Sequence, residues 1–411
     1  MGTTANQYPR EQWRVECLFP SRVLEAYGHP ARQAAAGRAL DFRSSTMEGV
    51  ELMLDHSFWT GKRVLLTGHT GFKGSWLGLW LTKLGANVTG VGLQPNTIPN
   101  LFSQLDLTKH LNRHHIADIR DPEAISKIAS ACNPDVVFHL AAQPLVRFSY
   151  QDPLTTWSTN VQGTLHLLEA LKPLKHQCAV VIITTDKVYA NREWTHGYRE
   201  TDRLGGHDPY SASKAATELA VASWRDSFCG DDDYQTPYLR IATARAGNVI
   251  GGGDWALDRI VPDAMRALEA GQPINVRNPT ATRPWQHVLE PLSGYFRLAE
   301  NLLIQSQPPC EAFNFGPTIK SNRTVAELVE SILHHWEGSW NKTSQVSSPH
   351  EAGLLHLQSE KANHILGWHP RWNYGQTIQR TVNWYKNVYE GEDAYYSSMK
   401  DIEAYNTTVE A

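Results

Sequence analysis

The stretch that decides the fold is Arg63-Val-Leu-Leu-Thr67, followed by Gly68-His69-Thr70-Gly71-Phe72-Lys73-Gly74 and then Ser75-Trp-Leu-Gly-Leu-Trp-Leu-Thr-Lys-Leu84. The first run is short and mostly apolar, as a buried strand is, and the last is a plausible helix. Strand, glycines and helix in that order form the pattern of a dinucleotide-binding turn. Gly68 permits the tight turn, Gly71 lets backbone approach a pyrophosphate, and Gly74 lets helix and strand meet closely. The helix N-terminus then faces the phosphates. Phe72 and Lys73 lie within the same turn and are taken with the glycines as cofactor-binding residues.

Outward from this turn, strand and helix patterns alternate. Asn87 to Leu93 is a second strand, and after it stands Gln94, where a dinucleotide site often has an acid for the ribose hydroxyls. No arginine is there to receive a 2′-phosphate, so NAD is expected rather than NADP. Asp118 ends the third strand, with Ile119 beside it at the expected adenine site; Asp118 would bond the adenine amino group or cap a helix starting near Pro122. Asp135 to Ala142 is a fourth strand whose Ala141 and Ala142 would let backbone run beside the cofactor. A long helix from Pro153 to Leu171 contains Asn160. Ala179 to Thr185 is an unbroken β-rich run, read as a fully buried parallel strand. Ligands collect at the C-terminal ends of such strands, and Thr184, Thr185, Asp186 and Lys187 lie there. The sheet continues through Tyr238 to Ala244.

Tyr210-Ser-Ala-Ser-Lys214 opens a helix from Pro209 to Phe228. The four-residue offset puts phenol and ammonium on one helical face. A phenol with its ordinary pKa near 10 is a poor base, and a neighbouring lysine together with a cationic nicotinamide favours the phenolate. Such a pair takes a proton from a hydroxyl as hydride leaves the same carbon.

Composition sets the bounds. The chain has 411 residues, enough for two domains sharing an interface. Its 38 basic and 42 acidic residues give a formal charge of -4, which calls for neither nucleic acid nor an acidic membrane surface. Cys17, Cys132, Cys178, Cys229 and Cys310 show no paired spacing and read as reduced thiols of a cytoplasmic protein. No apolar run reaches the roughly 18 residues of a membrane span, and no metal is called for. Fourteen tryptophans are read as core or domain-interface residues, some of them bordering a ligand cleft. Residues 1–46 carry six arginines, no lysine and four acids, without the apolar core of a signal peptide, and Met47 and Met53 stand as alternative starts. The expected division is an N-terminal extension over 1–57, poorly ordered; a NAD-binding domain over 58–245; a second, smaller domain over 246–390, with a mobile polar stretch from Trp340 to Ser359; and a tail over 391–411.

These residues carry a resemblance. Gly68-x-x-Gly71-x-x-Gly74, Ala141-Ala142, Thr185 and Tyr210-x-x-x-Lys214 resemble the extended short-chain dehydrogenase/reductases over Phe58 to Tyr389. Thr184-Thr-Asp-Lys-Val-Tyr189, Arg245-Ala-Gly-Asn-Val-Ile-Gly-Gly-Gly-Asp-Trp255 and Arg283-Pro-Trp-Gln-His-Val288 are similar to the CDP-glucose branch of the nucleotide-sugar 4,6-dehydratases. The resemblance implies an α/β fold, with a Rossmann-type parallel sheet flanked by helices and a smaller C-terminal mixed α/β substrate domain. It implies a hydro-lyase in deoxysugar biosynthesis, of the kind that feeds lipopolysaccharide O-antigen, with NAD as cofactor. The substrate is a nucleotide-diphospho-sugar, and the chain is expected to be a homo-oligomer. Tyr210 would take the O4 proton, Lys214 lower its pKa and hold the ribose, Thr185 bond O4, and Asp186 be the acid at the C6 hydroxyl. Lys187 stands where most relatives have a glutamate base for C5, and would be that base or a surface partner of Asp186. Arg245, Asn248, Arg259 and Arg283 are candidates for the diphosphate, since guanidinium forks bond two oxygens at once. The resemblance favours Asn248, Arg259 and Arg283 among them. A 4-epimerase of the same fold and a non-catalytic NAD-binding scaffold are the competing readings; Asp186-Lys187 speaks against the first and the intact Tyr210–Lys214 pair against the second.

Overall fold

A computed structural model describes residues 54, 56–229, 238–343 and 353–408. The extension expected over 1–57 lies outside the described residues through 53, as does the centre of the polar stretch, 344–352. Seven strands form one sheet: β1 Arg63–Thr67, β2 Asn87–Gly92, β3 Arg113–Ile116, β4 Val136–His139, β5 Cys178–Ile183, β6 Leu239–Ala246 and β7 Ala312–Phe315. Their order is β7-β6-β5-β4-β1-β2-β3, parallel throughout. The chain runs outward one way from β1 to β3 and the other way from β4 onward, so strand order reverses between β1 and β4. That reversal opens a crevice beyond the strand C-termini, where such sheets bind ligands.

The run of β5 has no polar alternation because both of its faces are covered, and all six of its residues are buried. Cys178, Val180 and Ile182 face one core with Leu167 and Leu168, whereas Ala179, Val181 and Ile183 face the other with Trp59, Phe138 and Phe296. Side chains alternate across a strand, so one run of six supplies both layers.

The helices that position the site are α1 Phe72–Lys83, α2 Pro122–Cys132, α3 Pro153–Trp157, α4 Gly163–Leu171, α5 Pro209–Phe228, α6 Ile260–Glu269, α7 Leu289–Ile304, α8 Tyr374–Tyr389 and α9 Ala394–Thr407. Helix α1 is apolar nearly all round, and Trp76, Leu77, Leu79, Trp80 and Leu81 are buried. It can be so because the C-terminal half covers its far side: Trp80 meets the rings of Phe296 and Tyr405 edge-on, and Trp76 Nε1 donates to Gly252 O at 2.9 Å. Much of the tryptophan excess is core, with Trp59, Trp76, Trp80 and Trp384 fully buried.

Two expected elements differ. The helix expected without a break over 153–171 carries a π-helical turn at Ser158–Gln162 between α3 and α4. The stretch expected as a tail contains α9, whose Met399, Ile402 and Tyr405 are buried. The chain beyond β6 is mixed α/β, with small two-stranded pairings such as Thr282–Pro284 with Asn322–Thr324 and Ile274–Val276 with Trp340–Lys342, set among α6, α7 and α8.

Candidate active site

At the crevice, Gly68 has φ of +75°, and a Cβ there would lie 2.7 Å from Ala141 N. Only glycine allows that turn and that approach to β4's continuation. A Cβ at Gly74 would sit 2.1 Å from Gly68 O, so the first turn of α1 lies directly on the loop. Gly71 is exposed, with its N–H bonded to Gly68 O at 3.1 Å, and leaves backbone open where a pyrophosphate would approach. Ala141 and Ala142 are half-buried at the end of β4; Ala141 N donates to Thr67 Oγ1 at 3.1 Å, and that hydroxyl also meets His139 Nδ1 at 2.7 Å. This cradle fits a dinucleotide, because glycine and alanine backbone, not side chain, lines the approach.

Other dinucleotide candidates are placed differently. Phe72 packs its ring toward Gly251 and so joins α1 to the second half of the chain. Asp118 does not cap the next helix. Its carboxylate accepts from the Arg120 guanidinium at 2.6 Å, which holds its pKa below the ordinary value, while Asp121 caps α2. Asp121 wins the cap because it directly precedes Pro122, whose missing N–H suits the first turn. The Ile119 side chain is buried beneath Gly163. Gln94 is exposed.

The catalytic candidates meet at the ends of β5 and α5. Asp208 caps α5, accepting from Ser211 N at 2.9 Å, with Pro209 in the first turn. Tyr210 and Lys214 therefore leave the first two turns on one face, and both are buried. Lys214 Nζ donates to Ile183 O at 3.0 Å. Burial lowers its pKa to about 8, against the raising influence of Glu218. Burial pushes the Tyr210 phenol up to about 12, and a hydrogen bond with Thr185 pulls the other way. Past β5 the chain makes a 3₁₀ turn over Asp186–Val188, capped by Thr185. Thr185 Oγ1 donates to Asp186 Oδ1 at 2.9 Å. Asp186 is buried, and burial raises its pKa although Lys187, Thr185, Arg283 and Lys73 all act to lower it. Lys187 is half-buried.

The second half of the chain closes on this group. The turn after β6 brings Gly247 against Asp186: a Cβ at Gly247 would be 2.9 Å from Asp186 Oδ2. Asn248 follows it, half-buried. Arg259 NH1 pairs with Asp254 Oδ2 at 2.8 Å and acts electrostatically on Tyr210. Arg283 is buried and donates to Thr282 O at 2.9 Å. Lys73 reaches this side of the crevice as well. Burial lowers its pKa to about 8, with Arg259, Asp186, Lys214 and Asp254 acting on it. Arg245, the remaining diphosphate candidate, points away from the crevice. Its NH2 pairs with buried Glu218 at 2.8 Å and its NH1 donates to Tyr189 Oη at 2.8 Å.

Three residues that serve the site were not singled out from the sequence. Glu218 lies one turn below Lys214 and is fixed by Thr184, Thr243 and Arg245. Its signal was an acid four residues after Lys214 on the same helix. His139 sits between Thr67 and Thr164; burial takes its pKa to about 3, so it stays neutral beside Lys214. Asn160, noted only as a helix residue, is turned inward by the π-helical turn. It accepts from Gln143 N at 2.8 Å and donates to Ser213 Oγ at 2.8 Å, tying α5 to the loop after β4. Single π-turns inside α-helices often mark functional sites in this way.

A family model described as GDP-mannose 4,6 dehydratase matches residues 65–381. The chain belongs to that family. It is 49% identical over 355 residues to the CDP-glucose 4,6-dehydratase of Salmonella typhimurium, covering 86% of this chain and 98% of that one. Among solved structures, dTDP-glucose 4,6-dehydratase from Bacillus anthracis in complex with NAD superposes with a TM-score of 0.64 at 21% identity, over 81% of this chain and 99% of that one. UDP-glucose 4-epimerase from Thermotoga maritima with UDP-glucose gives 0.66 at 21%, over 79% and 99%. At such identity the likeness is one of fold. Among the described residues no helix is long and apolar enough to cross a membrane.

Proposed function

We infer that the chain is a CDP-glucose 4,6-dehydratase, a hydro-lyase that converts CDP-glucose to CDP-4-keto-6-deoxy-D-glucose and water. One observation carries this beyond the shared fold: the Asp186–Lys187 turn faces the Tyr210–Lys214 pair in a chain 49% identical to an enzyme of that name. A 4-epimerase needs the second pair alone, since it removes no proton at C5 and loses no hydroxyl at C6.

Bound NAD would supply the hydride acceptor for C4 of the hexose and, once reduced, the hydride donor for C6. It is chosen over NADP because Gln94, not an arginine, follows β2. Gly68, Gly71, Lys73 and Gly74 hold the dinucleotide at the glycine turn, with Asp118 and Ile119 toward its adenine and Ala141 and Ala142 beside it. Tyr210 Oη removes the O4 proton, Lys214 steadies the phenolate and binds the ribose, and Thr185 bonds O4. A 4-ketone acidifies C5–H, and Lys187 Nζ, as the neutral amine, takes that proton and becomes the ammonium. Asp186 gives its own proton to the C6 hydroxyl, which leaves as water. An acid must hold a proton near neutral pH, and a buried carboxyl with a raised pKa suits that task. Asn248, Arg259 and Arg283 hold the sugar diphosphate, a role supported by two guanidinium groups acting on Tyr210 and Asp186.

The chain acts as a cytoplasmic homo-oligomer in this reading. Supporting the oligomer, Phe148, Tyr150, Leu154, Trp157 and Leu219 are exposed on three helices packed together: Val146–Gln151, α3 and α5. Sedimentation of a Leu219→Glu protein should shift toward monomer, and an unmodified protein that sediments as a monomer overturns this part.

Lys187→Ala tests the chemistry. The variant should still reduce NAD when mixed with CDP-glucose and then stall, with C5 exchanging slowly in deuterated water. Normal C5 exchange would mean that another group is the base. Comparing CDP-, UDP- and dTDP-glucose as substrates tests the nucleotide, and an epimerised product without loss of water would transfer the chain to the epimerases.

A further inference from the structure

Lys214 has to be an ammonium to steady a phenolate, yet its surroundings discourage charge. It is buried, and its one hydrogen bond among the described residues goes to a neutral carbonyl, Ile183 O at 3.0 Å. His139, on β4, faces it and stays neutral. Lys73, from α1, faces it with the same charge. On its own helix, Tyr210 lies one turn above and Glu218 one turn below. Glu218 is thus the anion set against it.

A carboxylate so buried would ordinarily take up a proton. Glu218 is prevented from doing so by groups from two neighbouring strands. The Arg245 guanidinium of β6 pairs with Oε2 at 2.8 Å, the Thr243 hydroxyl of β6 donates to the same oxygen at 2.7 Å, and the Thr184 hydroxyl at the end of β5 donates to Oε1. Arg245 is itself held by Tyr189 Oη at 2.8 Å and Glu200 O at 3.1 Å. Charge therefore alternates from the strand floor to the phenol: Arg245 positive, Glu218 negative, Lys214 positive, Tyr210 where negative charge develops.

We propose that Glu218, fixed by Arg245, is a positioning residue of the oxidation step, which keeps Lys214 in its ammonium form beneath Tyr210. This rests on the proton-transfer role given to Tyr210 and Lys214 above. It also accounts for Arg245, which is turned from the crevice to support this carboxylate. Opposite charges a helical turn apart in a low dielectric act strongly on one another, and burial has already lowered Lys214 to about 8. Without the Glu218 charge, Lys214 loses its proton at still lower pH.

The test reads Lys214 without substrate. In ¹⁵N-lysine-labelled protein, the Lys214 Nζ signal is assigned by its loss in Lys214→Met and then titrated. In Glu218→Gln, which keeps the shape of the side chain, the titration should move down by about one pH unit or more. The alkaline limb of turnover should move down with it, measured per folded molecule. Glu218→Asp should restore most of the shift. Where Glu218→Gln does not fold, the double variant Glu218→Gln/Arg245→Met removes the pair together, and Lys214 should again titrate lower, by a smaller step. A Lys214 titration unchanged in a folded variant overturns the proposal and leaves Glu218 a brace between strands and helix. A shifted titration with no dehydratase activity in the unmodified protein would uphold the electrostatics and sink the reaction instead.

Discussion

Glu218 and Glu290 are both buried, both on long helices and both fully bonded, yet they carry charge differently. Glu218, on α5, is met by a guanidinium and two hydroxyls, and its pKa falls below the ordinary value despite burial. Glu290, on α7, accepts from Arg371 N and Trp372 N at 3.0 and 2.7 Å and from Tyr405 Oη at 2.7 Å. Those partners are neutral, and burial pushes Glu290 up to about 7. Hydrogen bonds can satisfy a buried carboxyl, but they do not replace the field of a full opposite charge. The first network stands under the Tyr210–Lys214 pair, and the second fastens α9 to the body of the fold. One is built to hold a charge and the other to hold a helix.

Glu290→Ala should break the second network most severely. It strands the Arg371 and Trp372 N–H groups, at roughly 1–3 kcal/mol each, while Tyr405 Oη keeps Ser293 Oγ as a partner. Chemical denaturation should show a loss of several kcal/mol, with turnover per folded molecule retained. Tyr210→Phe should do the opposite: turnover should fall by roughly two or more orders of magnitude, while the unfolding midpoint hardly moves. A variant that lost both properties would show that the two networks are not separate.

The two carboxylates also set opposite slopes of stability with pH. Glu218 has a lowered pKa when folded, so its contribution is present above the unfolded value and fades as pH falls through the folded one. Glu290 is raised from 4.5 to about 7, so its contribution is complete below 4.5 and is lost as pH rises through about 7. That loss is on the order of 3 kcal/mol. Asp401, on α9 beside Arg380, is likewise raised to about 7 by burial and adds to the same slope. His139, His287 and His69, held neutral by burial, set the opposite slope over the same range, so the Glu290 share is read as a difference: relative to Glu290→Gln, the unmodified protein should lose on the order of 3 kcal/mol between about pH 5 and about pH 8. A difference that does not change with pH would remove the contrast. The smallest effect is expected of Tyr405→Phe, about 1–2 kcal/mol for the bonds to Glu290 and Ser293, and it should grow where Glu290 is ionised, because a phenol bonds a carboxylate more strongly than a neutral carboxyl.

Most of the sheet was legible. The strand–glycine–helix order at Thr67 to Ser75, the apolar run ending at Thr185 and the Tyr210–Lys214 offset are local patterns, and periodicity reports them directly. The helix break at Ser158–Gln162 was not legible, because no glycine or proline interrupts that segment. Its cause is tertiary: Asn160 bonds both Gln143 and Ser213. Nor was α9 legible as part of the body, since its buried residues are spread among polar ones and its amphipathic pattern is weak.

By itself, then, the sequence determined which residues are proposed to carry the chemistry: the glycine turn, the triplet from Thr185 to Lys187 and the tyrosine–lysine pair are each contained within one element and its immediate end. Tertiary structure alone decided what those residues face. Arg245 turns inward to Glu218, Lys73 reaches toward Asp186 and Arg259 from the dinucleotide turn, and Gly247 closes on Asp186. The reason is physical: spacing along one element fixes which side chains share a face, but the charge and desolvation that set their behaviour come from elements far away in the chain, brought near only by packing.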